Sequence, residues 1–267
     1  MQVKIKKTYV IISAVLLIVT CYLFWGPLFP WNPIKSGYTK IASEKATIYI
    51  SDITQRDSVV YHIDEIIQEE ELFHDLNFVD EFKIIILNQD SNMKRYLPWL
   101  KGSGFSVSLS LVNVIYIGPT ARKSVTGMEP WLKHELSHLL IDQNTTFKKA
   151  LKIHGQGWLT EGIAEYFSGH HFYNKHEFVE LCKRNNIQFT SLFENNPLKM
   201  TFAELQFKYT YYRFFIEFLA KKYGLDTLQV YLREYLKNPD DYKTLFIEVY
   251  KSDINELLKQ FQSSLID

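Results

Sequence analysis

Residues 105–140, FSVSLSLVNVIYIGPTARKSVTGMEPWLKHELSHLL, are where the chain changes its period. Phe105, Val107, Leu109 and Leu111 alternate with Ser106, Ser108 and Ser110, and a period of two is that of a strand with one face buried. Residues 114–117 (VIYI) form a second, uninterrupted apolar strand, closed by Gly118 and Pro119. From Met128 onward the apolar residues recur at helical spacing, and they do so to the C-terminus. Upstream, residues 45–53 and 81–87 read as strands. An amphipathic helix over 58–73 lies between them, and a short helix over 91–100 follows. Strands first and helices after predict an α+β fold, in which a small N-terminal sheet with helices leads into a helical C-terminal half. Within the 58–73 helix, the run Glu69-Glu70-Glu71 reads as a solvated face.

The chain has 267 residues, 46% of them hydrophobic and 22% charged, which suits one ordinary globular domain with an appendage. Its 30 basic and 30 acidic side chains cancel, removing the basic excess that a nucleic-acid binder presents to phosphates. Nucleic acid is therefore not expected as a partner. Two cysteines, Cys21 and Cys182, cannot make a disulfide scaffold, so a hydrophobic core must hold the fold.

The appendage is N-terminal. Lys4, Lys6 and Lys7 precede an uncharged stretch whose most apolar part, residues 9–29, would as a helix reach across a hydrocarbon core of roughly 30 Å. No Ala-x-Ala-like site interrupts it, and Thr20 is a poor residue before a lipidated Cys21, so an uncleaved transmembrane helix is expected. The lysines leave the N-terminus cytoplasmic and residues 35 onward outside, as in a single-pass protein of the cell membrane, with Trp25, Phe29 and Trp31 at the outer interface. Pro27, Pro30 and Pro33 then read as a stiff spacer. The expected division is 1–35 for the cytoplasmic N-terminus, anchor and spacer, and 36–267 for one folded domain.

The chemistry lies in WLKHELSHLL, residues 131–140. On a helix His134 and His138 are four apart and share a face, while Glu135 projects beside them within reach of whatever the imidazoles hold. Two neutral imidazoles and an adjacent carboxylate describe a catalytic zinc site with its general base. Such a zinc takes a third protein ligand and keeps a fourth position for water. One class of these sites places a histidine six residues after the second motif histidine with a glycine in between, but here Asn144 and Ile141 stand there, which excludes that class. Residues 158–167, WLTEGIAEYF, follow with two carboxylates one helical turn apart.

With these two motifs the sequence resembles the gluzincin metallopeptidases, and among them the peptidase MA-like proteins with their W-L-x-E-G-x-A-E-Y signature. The resemblance implies a zinc-dependent hydrolase of peptide bonds acting on a peptide or protein substrate. It makes Glu161 the third zinc ligand beside His134 and His138, and Glu165 the residue that hydrogen-bonds the first motif histidine. Residues 209–224 resemble the family's next helix, where Tyr209 takes the position of a tyrosine that donates to the oxyanion; Tyr211 and Tyr212 compete for the role. A strand in the place of residues 114–117 lines the cleft in that family, so pairing of an extended substrate with that strand is expected. No G-x-M-E-N motif is present, which favours endopeptidase action. The alternative is a catalytically inactive, metal-stabilised extracellular binding module, against which Glu135 speaks, because a purely structural site has no use for a carboxylate beside an open position. His154, His170 and His171 read as bystanders near the motifs.

Overall fold

In the computed structural model of the chain, residues 2–51, 58–98, 106–185 and 201–266 are described. Asp52, Ile53, Trp99, Leu100 and Phe105, read above as ends of a strand or a helix, lie outside them. The elements run α1 (Gln2–Trp25), β1 (Thr39–Ala42), β2 (Ala46–Ile50), α2 (Ile63–His74), β3 (Phe82–Ile86), α3 (Asp90–Tyr96), β4 (Ser106–Leu109) and β5 (Val114–Ile117), followed by α4 (Pro119–Arg122), α5 (Glu129–Gln143), α6 (Phe147–Gln156), α7 (Trp158–Ser168), α8 (Lys175–Asn185), α9 (Phe202–Tyr223), α10 (Leu225–Lys237), α11 (Tyr242–Tyr250) and α12 (Ile254–Ile266). This is a mixed α+β chain with a small sheet and a mostly helical C-terminal half. It divides into two compact units, Met1–Ile63 with Glu81–Met128, and Asp64–Asp80 with Glu129–Asp267.

The first unit is built on a five-stranded sheet in the order β1-β2-β3-β5-β4, parallel at β2/β3 and β3/β5 and antiparallel at its two margins. The inner strands carry unbroken apolar runs because both their faces are covered: Ile84, Ile85 and Ile86 of β3 and all four residues of β5 are buried. The edges are β1 and β4. Strand β5 is hydrogen-bonded to β3 on one side and β4 on the other, so it has no free edge to offer an extended peptide, and the expected pairing of substrate with residues 114–117 is corrected.

The N-terminal segment also departs from expectation. Its helix ends at Trp25, so the end of the expected apolar run, residues 26–29, lies outside it. Among the described residues no helix is long and apolar enough to cross a membrane. Phe29 is not an interfacial aromatic but a core residue. It is 2% exposed, stacks on Tyr96 with ring centroids 4.2 Å apart, and lies beside Tyr38. Lys35 fastens the same turn, its Nζ donating to the carbonyls of Phe29 (2.7 Å) and Asn32 (2.6 Å) while sitting 4.5 Å above the Phe29 ring. The prolines thus shape a packed corner rather than a stiff spacer, and the core of this unit includes Phe29.

The second unit is helical around one aromatic-rich core, in which Trp158 packs against Phe215, Tyr231 and Phe246. Gly157, at φ +64, turns the chain from α6 straight into α7. Helix α9 opens on a capping box between Thr201 and Glu204. Helices α7 and α9 are in close contact at Gly162, where a Cβ would stand 2.7 Å from Ile216 Cγ1 and 3.0 Å from the Tyr212 carbonyl oxygen. Gly162→Ala is accordingly expected to destabilise the protein by about 1–3 kcal/mol through overpacking, despite the better helix propensity of alanine. A denaturant midpoint equal to or above that of the parent would show that the two helices can part without cost.

Candidate metal site

Three helices of the second unit supply the site. Because α5 advances about 100° per residue, His134 and His138 lie one above the other, and their Nε2 atoms face each other at 3.1 Å. Helix α7 brings Glu161 opposite them. Its Oε2 is 3.4 Å from His134 Nε2 and 3.3 Å from His138 Nε2, so the three atoms form a nearly equilateral triangle. Four donors held about 2.0–2.1 Å from a tetrahedral zinc lie about 3.3 Å from one another, which is the size of this triangle. Glu161 Oε2 is buried and has no hydrogen-bond partner among the described residues, as suits an atom whose partner is a cation. Two imidazoles and one carboxylate are the donor set of a zinc site that keeps a place for water, and the residues present fit that ion. Among the described residues this is the one group of histidine, cysteine and acidic side chains so arranged.

Behind the triangle, His134 Nδ1 is 3.3 Å from Glu165 Oε1, and the other oxygen of Glu165 is 3.4 Å from His170 Nδ1. Glu165 is therefore shared by two imidazoles, and a carboxylate on Nδ1 leaves Nε2 of His134 directed at the triangle. His170, read above as a bystander, is buried between Trp131 and Phe172, each with its ring centroid 4.2 Å away. His154 stands nearer than a bystander too, its ring 5.7 Å from that of His138 and its Nε2 held 2.7 Å from Asp142 Oδ1. His171 is exposed. Glu135 is buried on α5 beside the pair, and its charge reaches the Tyr209 hydroxyl.

Of Tyr209, Tyr211 and Tyr212 on α9, Tyr209 is the one at the site. Its ring lies 6.4 Å from that of His134 and its hydroxyl meets Glu161. Tyr211 turns into the core and its hydroxyl accepts from Gln262, while Tyr212 packs in the core at the contact with Gly162.

The electrostatics of the cluster are those of donors sharing protons. Burial disfavours a charged His134, but Glu161 and Glu165 outweigh it and hold its pKa well above the ordinary histidine value. Glu161 is likewise opposed by burial and held well below the carboxylate range by His138 and His134. Burial, then the charges of Glu161 and Glu165, push Tyr209 well above its usual value, so at neutral pH it is a hydrogen-bond donor.

A further group, not found by reading the sequence, underlies α5. Glu70, expected on a solvated face, is fully buried, and its Oε1 accepts from Ser137 Oγ at 2.5 Å, with His74 Nδ1 3.3 Å away. The signal was present in the helical period, since Ile63, Ile66, Ile67, Glu70 and His74 occupy the single buried stripe of α2.

No family model and no curated protein matches the chain. Among solved structures, similarity is found to the M1 zinc metallopeptidase of Deinococcus radiodurans in a mutant form (TM-score 0.47, 13% identity, covering 84% of this chain and 50% of that one). The same protein bound to a Tyr-Ser-Ala substrate gives TM-score 0.45, at the same identity and coverage. Native leukotriene A4 hydrolase of Saccharomyces cerevisiae gives 0.48, at 13% identity, covering 84% of this chain and 38% of that one. The chain thus spans half or less of the length of these proteins.

The geometry separates the two carboxylates of α7. Glu161→Ala removes a corner of the triangle and is expected to purify essentially free of zinc. Glu165→Ala leaves the triangle and removes the support of His134, which should weaken zinc by about 10–100-fold. Zinc titrations giving the opposite order would exchange their roles.

Proposed function

We propose that the chain is a zinc-dependent metallopeptidase. The observation that carries this reading is the triangle of His134 Nε2, His138 Nε2 and Glu161 Oε2, with edges of 3.1–3.4 Å, beside the buried carboxylate of Glu135. Bound there by His134, His138 and Glu161, zinc would supply Lewis acidity, bringing the pKa of a water to around 7 and polarising a peptide carbonyl. Glu135 is the general base: it takes the proton of the attacking water and delivers it to the departing amine nitrogen. Tyr209, kept protonated by burial and by its acidic neighbours, donates to the oxygen that gains charge as the carbonyl becomes tetrahedral. Glu165 keeps His134 in the tautomer that leaves Nε2 free to ligate. Cleavage within a chain rather than at its end is the part of this reading supported by the missing G-x-M-E-N motif.

Glu135→Gln tests the base against every other part of the assignment. The amide has the size of the carboxylate and is not among the ligands, so the variant is expected to bind zinc like the parent while losing nearly all cleavage of a peptide library. Equal cleavage by the two proteins would overturn the mechanism. Zinc binding without cleavage by the parent would leave the metal-stabilised binding module instead.

Membrane attachment through the N-terminal helix rests on the sequence and on exposure. The side chains of Tyr9, Val10, Ile11, Leu16, Leu17 and Ile18 are more than half exposed on α1, an arrangement that water penalises. The lysines before Tyr9 would then keep the N-terminus cytoplasmic and the rest of the chain outside. The intact protein is expected in the membrane fraction, with residues beyond 35 open to protease added to whole cells. Recovery of the intact chain in the soluble fraction would remove the anchor from the proposal.

A further inference from the structure

We propose that Glu70 and Ser137 are positioning residues that set the rotation of α5, and with it the aim of His134 and His138; the inference rests on the metal reading above. Helix α5 and the residue that follows it run beside α2 and the loop after it, and three of the contacts between them fall along one stripe. Lys133 Nζ meets Glu69 Oε2 at 3.0 Å, Ser137 Oγ donates to Glu70 Oε1 at 2.5 Å, and Asn144 Nδ2 donates to the Asn77 carbonyl at 2.9 Å. Lys133 and Ser137 each directly precede a motif histidine, so the fastened face and the ligand face are one residue, about 100°, apart around the helix. A turn of α5 that released Ser137 would therefore carry both imidazoles with it.

The outer contacts are weak pins. Glu69 is more than half exposed, and an exposed ion pair fixes little. The Glu70–Ser137 bond differs, since both residues are 0% exposed and water cannot replace either partner. Stability alone does not account for this pair. Glu70 Oε2 and His74 Nε2 have no hydrogen-bond partner among the described residues, and such buried, half-satisfied polar groups are commonly matched or improved upon by apolar side chains of the same volume. A directional bond specifies rotation where an apolar contact does not, and a metal site must be held to within about 0.5 Å and 10–20°.

The test uses the full chain, with zinc affinity measured against a competing chelator and the thermal midpoint measured without metal. In Glu70→Met the Ser137 hydroxyl keeps its 3.2 Å bond to the Lys133 carbonyl, so no donor is stranded. The midpoint is expected to hold or rise while zinc binds about 10–100-fold more weakly, the range typical of lost support behind a metal ligand. A merely structural Glu70 would leave the affinity where it was. Glu70→Gln, which retains an acceptor oxygen, is expected to restore it. Should Glu70→Met fail to fold, Ser137→Ala decides, because alanine is well tolerated in a helix and removes the same bond from the other side. Unchanged zinc affinity in a folded Glu70→Met or Ser137→Ala overturns the inference while leaving the metal site intact. A parent chain that binds no zinc overturns both.

Discussion

Two imidazole nitrogens and a carboxylate oxygen cannot point into one small buried volume unless something positive lies among them. In this protein the three atoms are 3.1–3.4 Å apart. With no cation, protons must do the work, and the upward shift of His134 and the downward shift of Glu161 are one effect seen from its two ends. A metal ion replaces those protons, so its binding is coupled to their release and weakens as pH falls. The helical unit holds α5 and α7 at the separation that keeps these three atoms together.

The arrangement is layered on the His134 side. Glu165 is almost fully buried, and its two oxygens face different imidazoles, Oε1 3.3 Å from His134 Nδ1 and Oε2 3.4 Å from His170 Nδ1. His170 in turn is clamped between Trp131 and Phe172, and Trp131 stands on α5 itself, less than a turn from His134. The support of the first ligand thus loops back to the helix that carries it. On the other side, His138 has no such relay: its Nδ1 is buried without a hydrogen-bond partner among the described residues. The register of α5 along α2 consequently bears more heavily on that ligand.

What the sequence discloses of this depends on how local each relation is. The His134/Glu135/His138 geometry follows from helical spacing alone and is legible without tertiary information. Glu161 is reached only through the resemblance of its motif, because residues 139–160 intervene and nothing local dictates where they lead. Glu70 was hidden by reading Glu69-Glu70-Glu71 as a unit, whereas a helix separates consecutive residues by about 100° and sends the middle one inward. Alternation revealed β4 as a strand and an unbroken apolar run revealed β5, but neither signal names the neighbouring strands, and that order decides which strand has a free edge. Hydropathy counted Phe29 into the apolar run, although the break at Pro27 frees it to pack on Tyr96.

The tyrosines of α9 show how one small residue organises several of these relations. Tyr209 and Tyr212 are three apart, hence about 60° from each other around the helix, while Tyr211 is turned roughly to the far side. The Tyr212 carbonyl is the backbone group that a side chain at position 162 would strike. Glycine there lets α9 settle directly on α7 at Tyr212, and one turn earlier the same closeness delivers the Tyr209 hydroxyl to Glu161. Any side chain at 162 would push α9 outward and withdraw that hydroxyl together with the core beneath it. The glycine after Glu161 is therefore as much a condition of the site as the carboxylate it follows, because it sets the distance at which a donor from a third helix can reach the same small volume.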